Sequence, residues 1–202
     1  MRKIVILLLC LIGSQWLPAQ TTVVVKGLVY HDLNSNGKHD KTELGIEGVP
    51  VSNGSDVTQS DAGGRYEIKI PADDGLVFVV RPSAYSYPLN DDMLPQFYYL
   101  HKPKGSPALK YKAVAPTGEL PASVDFGLLT GCDSEVFSVV ISSDPQAYTP
   151  AQVTFYQTDI AEELKVSTDA VMGFTLGDIV GDRPDLFPAM NKATALTGLP
   201  WH

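Results

Sequence analysis

Thr22-Val-Val-Val-Lys-Gly-Leu-Val-Tyr30, followed one residue later by Asp32-Leu-Asn-Ser-Asn-Gly-Lys-His-Asp-Lys-Thr-Glu43, is the stretch on which the reading of the fold turns. The first block is dense in β-branched residues and predicts a strand, with Gly27 marking a bulge. The second is a polar loop, and neither side of it shows helical periodicity. Outward from there, Ile46–Val51, Tyr66–Ile70 and Leu76–Val80 predict further short strands between Gly, Pro, Asp and Asn clusters. Asp61-Ala-Gly-Gly-Arg-Tyr66 is a turn leading into one of them. Residues 81–117, rich in Pro and Tyr, predict long connections with a strand or two. Residues 21–130 therefore read as an all-β, immunoglobulin-like (Ig-like) antiparallel sandwich around one core.

The polar loop carries chemistry of its own. Asp32, Asn34, Asn36, Asp40 and Glu43 put oxygen donors at loop positions 1, 3, 5, 9 and 12. Gly37 stands at position 6, and Lys38 offers its main-chain carbonyl at position 7. Calcium requires six to eight oxygens around a sharp turn, which this pattern supplies. An ordinary Asp/Asn/Gly turn held by local hydrogen bonds has the same composition. Without paired helices, a calcium ion here pins a loop and switches nothing.

From residue 131 the pattern alternates. Val136–Ile141 and Ala170–Leu176 are continuous apolar runs of the kind buried on both faces of a parallel sheet. Thr149-Pro150 offers a helix start, and Val153, Tyr156, Ile160 and Leu164 fall on one side of a helix over 151–165. Residues 184–197 predict a second helix, with Leu186, Met190 and Ala193 aligned and its regular part beginning near Pro188. The order is β-α-β-α, the incomplete start of an α/β domain over 131–202. Ser143-Asp144-Pro145-Gln146 and Gly177-Asp178-Ile-Val-Gly-Asp182 follow the two strands, at the edge where open sheets bind ligands. On neighbouring strands, about 5 Å apart, Asp144 and Asp178 share one crevice, and a pair of divalent cations there would relieve their repulsion. Helix capping and turn formation also account for these residues.

Met1-Arg-Lys3, the apolar run Ile4–Ile12 and Leu17-Pro-Ala-Gln20 make residues 1–20 a secretory signal peptide, too short to span a bilayer. Its removal takes away two cations and no acid, so the net charge falls from −8 to −10. That charge disfavours nucleic acid and suits metal cations. With Cys10 gone, Cys132 is the one remaining cysteine, and no intrachain disulfide forms. The expected location is the periplasm, the cell surface or the medium, with no membrane span and no obligate partner.

Residues 24–80, in the order Val25-Lys-Gly-Leu-Val-Tyr-His-Asp-Leu-Asn-Ser-Asn-Gly37, Glu43-Leu-Gly-Ile-Glu-Gly-Val-Pro-Val-Ser-Asn-Gly54 and Thr58-Gln-Ser-Asp-Ala-Gly-Gly-Arg-Tyr-Glu-Ile68, resemble two kinds of module. These are the calcium-binding B-type repeats of surface adhesins and the domain that precedes secreted calcineurin-like phosphoesterases. Phe137-Ser-Val-Val-Ile-Ser-Ser-Asp-Pro-Gln146 and Gly177-Asp-Ile-Val-Gly-Asp182 resemble the first two motifs of calcineurin-like metallophosphoesterases, Asp-x-His and Gly-Asp-x-x-Asp. The resemblance implies two divalent ions (Mn, Mg, Fe or Zn) and in-line hydrolysis of a phosphoester, with both ions stabilising the developing charge. It places Asp144 and Gln146 at the first metal and Asp178 as a bridge. Gln146 stands where most members carry histidine, which favours Mn or Mg over Zn, and Asp182 lies one residue later than the usual second acid. None of His31, His39, His101 or His202 matches a family histidine. Because Thr197–His202 resembles the lead-in to Gly-Asn-His-Asp, the expectation is an inactive N-terminal fragment of such an enzyme. The alternative is a calcium-stabilised surface adhesion or binding module without catalysis. A weaker one is a carbohydrate platform of Tyr85, Tyr87, Tyr98 and Tyr99.

Overall fold

The computed structural model describes residues 21–111, 113–131 and 134–202. The signal-peptide reading of residues 1–20, with Cys10, and the cysteine at 132 lie outside the described residues. Ten strands are present: β1 (Thr22–His31), β2 (Pro50–Ser52), β3 (Val57–Gln59), β4 (Arg65–Pro71), β5 (Gly75–Val79), β6 (Tyr85–Ser86), β7 (Tyr98–His101), β8 (Phe126–Thr130), β9 (Val139–Ser142) and β10 (Met172–Thr175). The first eight form two four-stranded sheets, ordered β4-β1-β8-β6 and β3-β2-β5-β7.

Period-two alternation builds the sandwich. In β4, Tyr66, Ile68 and Ile70 are buried while Arg65, Glu67 and Lys69 are exposed. Val25 and Val29 of β1, Val51 of β2, Val77 and Val79 of β5 and Leu128 of β8 meet them in one core. Burying a Val or Leu side chain contributes about 1.5–3 kcal/mol, so this layer supplies most of the driving force. Tyr66 closes one end: its hydroxyl donates to the Val124 carbonyl at 2.7 Å, and burial raises its pKa.

Four sequence expectations are corrected here. Gly27 makes no bulge, since β1 pairs with β4 in unbroken register from Thr22↔Pro71 to Leu28↔Arg65. Glycine stands there because a Cβ would collide with the Val124 carbonyl. The second strand begins at Pro50 instead of Ile46, because Gly48 takes φ 74° and turns the chain first. The sandwich is not wholly antiparallel, for β8 runs parallel to β1 through Val29↔Phe126 to His31↔Leu128. Finally, Tyr85, Tyr87 and Tyr99 pack against the core and only Tyr98 is exposed, which removes the proposed tyrosine platform.

The second unit is a parallel pair, β9 and β10, with α1 (Pro150–Tyr156), α2 (Glu162–Ser167) and α3 (Phe187–Ala195). Thr149 caps α1 in a capping box with Gln152, and Pro150 fills the first turn. The expected single helix over 151–165 is split by a π-turn, Gln157–Ala161. Its extra residue rotates the phase, so Ala161 is buried and Ile160 is exposed. Leu186, Met190 and Ala193 point inward as their spacing requires, joining Ala147, Val153 and Val180 in a small second core. The two strands are not buried on both faces: Val139, Ile141 and Phe174 remain exposed, with only the His202 ring, among the described aromatic contacts, stacked on Phe174. Trp201 bridges Gly173 in parallel fashion beyond β10, and its N–H donates to the Met93 carbonyl of the sandwich at 3.2 Å.

The close approach at Gly27 gives a direct test. Gly27→Ala should destabilise the sandwich by about 2 kcal/mol in urea unfolding, because the opposing atom is backbone and yields little; an unchanged midpoint would contradict the packing.

Candidate functional site

Two groups of residues singled out by the sequence can be placed. The first is the loop between β1 and Gly45. Asp32 and Glu43 are 2% and 4% exposed, far more buried than carboxylates usually are. Asp32 accepts from Asn36 N–H (3.2 Å) and Gly37 N–H (2.9 Å). Glu43 spans the loop, accepting from Leu33 N–H (2.9 Å) with Oε1 and from Asp40 N–H (2.8 Å) with Oε2. Asn34 and Asn36 both donate through Nδ2 to Asp40 Oδ2, at 2.8 and 2.9 Å. Those two hydrogen bonds hold the Asp40 carboxyl below the ordinary aspartate range. Ser35 and Gly37 take φ 58° and 69°, which turns the loop back on itself. All five candidate donors thus lie in one turn, bonded to its main chain and to one another. Lys38 lies within the same turn, its N–H on Asn36 Oδ1 at 2.7 Å. Burial, then the charges of Asp32, Glu43, Asp125 and Asp40, push the Tyr30 hydroxyl up to about 12.

The second group sits at the carboxyl ends of β9 and β10. These strands are neighbours and parallel, with Ser142 opposite Thr175, so their following loops lie side by side. Gln146 N–H donates to the Asp178 carbonyl at 2.8 Å, and Gln146 Nε2 reaches Asp178 Oδ2 at 3.5 Å. A parallel bridge from Ala147 to Val180 locks the loops together. Asp144 is exposed in the same loop and joins neither residue by a hydrogen bond. Asp182 lies past the bridge, exposed, within electrostatic range of Lys110 from the sandwich.

Three of the six described non-glycine residues with positive φ cluster at this rim. Asp144, Gln146 and Asp178 have φ of 53°, 42° and 43°. Left-handed backbone is uncommon outside glycine, and for glutamine it is unfavourable. All three residues chosen from the sequence as metal ligands adopt it.

Among the described residues, no three His, Cys, Asp or Glu side chains gather into a group that could hold a metal ion. Each donor set found here mixes carboxylates with carboxamides. His31, His39 and His101 belong to the sandwich, and His202 stacks on Phe174 with centroids 5.4 Å apart. Arg81, whose position in a cleft becomes clear only in the fold, carries no signal in the sequence. No described helix is long and apolar enough to cross a membrane.

Residues 33–113 match the family model of the N terminal of calcineurin-like phosphoesterase, which supports a phosphoesterase parentage for the sandwich. The match ends ahead of Asp144, Gln146 and Asp178. Comparison with curated proteins gives no match. Among solved structures, the major plantain pollen allergen Pla l 1 is similar at TM-score 0.34 and 15% identity, covering 56% of this chain and 98% of that one. The shaft pilin SpaA from Lactobacillus rhamnosus GG is similar at TM-score 0.34 and 13% identity, covering 64% of this chain. This chain spans 57% of the pilin's length. At such scores the likeness carries no functional argument.

The loop predicts a titration. Because the folded Asp40 pKa is depressed, its stabilising contribution is complete above the ordinary aspartate value, about 4, and is lost as pH falls through the folded value. In calcium-free buffer, the Asp40 carboxyl resonance should titrate below that of an unperturbed aspartate. Asn34→Ala with Asn36→Ala should return it upward, and an unmoved midpoint would contradict the bonding described.

Proposed function

We propose that the chain carries the N-terminal domain and the first metal-binding strands of an exported, calcium-stabilised metallophosphoesterase. The observation that carries the reading is the left-handed backbone at Asp144, Gln146 and Asp178, at the carboxyl ends of two adjacent parallel strands. Strain of this kind costs on the order of 1–3 kcal/mol per residue and persists where a function holds it. Two carboxylates and a carboxamide oxygen form a hard donor set, suited to Mn or Mg more than to Zn. When bound, divalent cations there supply charge stabilisation for cleavage of a phosphoester. Asp144, Gln146 and Asp178 are the residues that would hold such ions. The family match over the sandwich supports the same parentage. No described histidine is hydrogen-bonded to this rim, so the chain alone binds metal without efficient turnover.

The loop at Asp32–Glu43 holds calcium in the same reading. Asp32 and Glu43 are buried carboxylates that share one turn with Asp40, an arrangement that a cation would stabilise. The Asn34 and Asn36 carboxamides turn over to present Oδ1, alongside Asp40 and the Lys38 carbonyl.

Manganese binding followed by electron paramagnetic resonance tests the rim. The wild-type chain should bind, and Asp144→Asn or Asp178→Asn should weaken binding at least about tenfold while leaving calcium binding intact. Gln146→Gly should weaken manganese binding yet leave stability unchanged or raised by up to about 1 kcal/mol, whereas glycine at a right-handed position costs about that much. Absence of manganese binding would refute the reading, as would robust turnover of an aryl phosphate by this chain alone. Calcium should raise the melting temperature, by an equivalent of about 2.7 kcal/mol at one hundred times its Kd. An unchanged melting temperature with normal manganese binding would remove the calcium assignment only. The reverse result would favour a calcium-stabilised binding module.

A further inference from the structure

A second concavity lies in the seam between the sandwich and the α/β unit, near the amino ends of β9 and β10 and so away from the acidic rim. It is a cleft of about 520 Å³, within the range of small-molecule sites. Its lining is predominantly apolar: Leu89 and Leu129 from the sandwich face Phe137 and Met172 from the second unit. The charged side chain in it is Arg81, and His202 completes the wall.

The electrostatics of this cleft are unusual for the chain. The protein has a net charge of −8, yet among the described residues no Asp or Glu side chain lines the cleft. Among the described residues Arg81 forms no ion pair; its Nη1 donates to the Tyr85 carbonyl and its backbone N–H to Tyr87 Oη at 3.0 Å. Tyr87 Oη in turn donates to the Val79 carbonyl at 3.0 Å, so the arginine is held by the frame of the sandwich. Burial, and then the Arg81 charge, hold the His202 pKa down. Among the described side chains that line the cleft, the Arg81 guanidinium carries the one fixed charge; it is anchored through one nitrogen, and its remaining N–H groups are available to planar or tetrahedral oxyanions.

We propose that this cleft binds a small amphipathic anion, its hydrocarbon or aryl body against Leu89, Leu129, Phe137 and Met172 and its carboxylate or phosphate oxygens on Arg81. Apolar walls supply affinity, and the Arg81 guanidinium selects anionic over neutral ligands. The site is independent of the metal rim and of either cation.

Isothermal titration of the whole chain with decanoate and with decanol tests the proposal. Decanoate should bind at least about tenfold more tightly than decanol. Arg81→Gln should erase that preference while leaving decanol binding unchanged. Because Arg81 also holds the Tyr85 carbonyl, Leu89→Glu provides a second variant: Leu89 is exposed, so the fold tolerates the change, and the added carboxylate should abolish decanoate binding without lowering the melting temperature. Equal affinity for the two ligands, no binding of either, or decanoate binding unaffected by Leu89→Glu would overturn it. Manganese binding should be the same in all these chains, which separates failure here from failure at the rim.

Discussion

The parallel pairing of β9 with β10 is the constraint on which the candidate metal rim depends. Four register pairs, Val139↔Met172 to Ser142↔Thr175, bring two separate acidic turns to the same edge. The Gln146–Asp178 main-chain bond and the Ala147–Val180 bridge extend that pairing past the strands. A rigid pair of turns can then hold three non-glycine residues in left-handed conformation. Were either strand to slip by one residue, every side chain would change face and the turns would separate.

The sandwich solves a different problem. With one described β-core and no disulfide expected, it must hold a long polar loop in place. Asp32 and Glu43 do so by turning inward and capping main-chain N–H groups, which leaves negative charge at the edge of the core. Each accepts two such bonds, which offsets part of the cost of burying its charge. The cleft at the seam carries the opposite sign: there, among the described residues, Arg81 forms no ion pair.

Much of this was legible in the chain. Alternation in Arg65–Pro71 and the β-branched run of Thr22–Tyr30 determine strands whichever way they pair, and the Asp32–Glu43 spacing places its donors in one turn. The capping box at Thr149 and Gln152 is equally local. What escaped depends on distant partners. The parallel β1–β8 contact joins residues about a hundred positions apart, and β3 is three residues long. The phase shift at Gln157–Ala161 arises because a π-turn inserts a residue without breaking the helix, which periodicity alone does not reveal. The exposure of Ile141 and Phe174 reflects a missing neighbouring layer, whereas an apolar run in sequence reports only suitability for burial. The positive φ at Gln146 has no sequence signature at all, since glutamine does not advertise that conformation.

The most direct test is a crystal of the chain grown with manganese and measured at the manganese absorption edge. The account predicts an anomalous peak at the rim, with oxygen atoms of Asp144, Gln146 and Asp178 at ligand distance and their backbone unchanged. Anomalous density confined to the Asp32–Glu43 loop, or side chains of Asp144 and Asp178 turned away from a common ion, would contradict it.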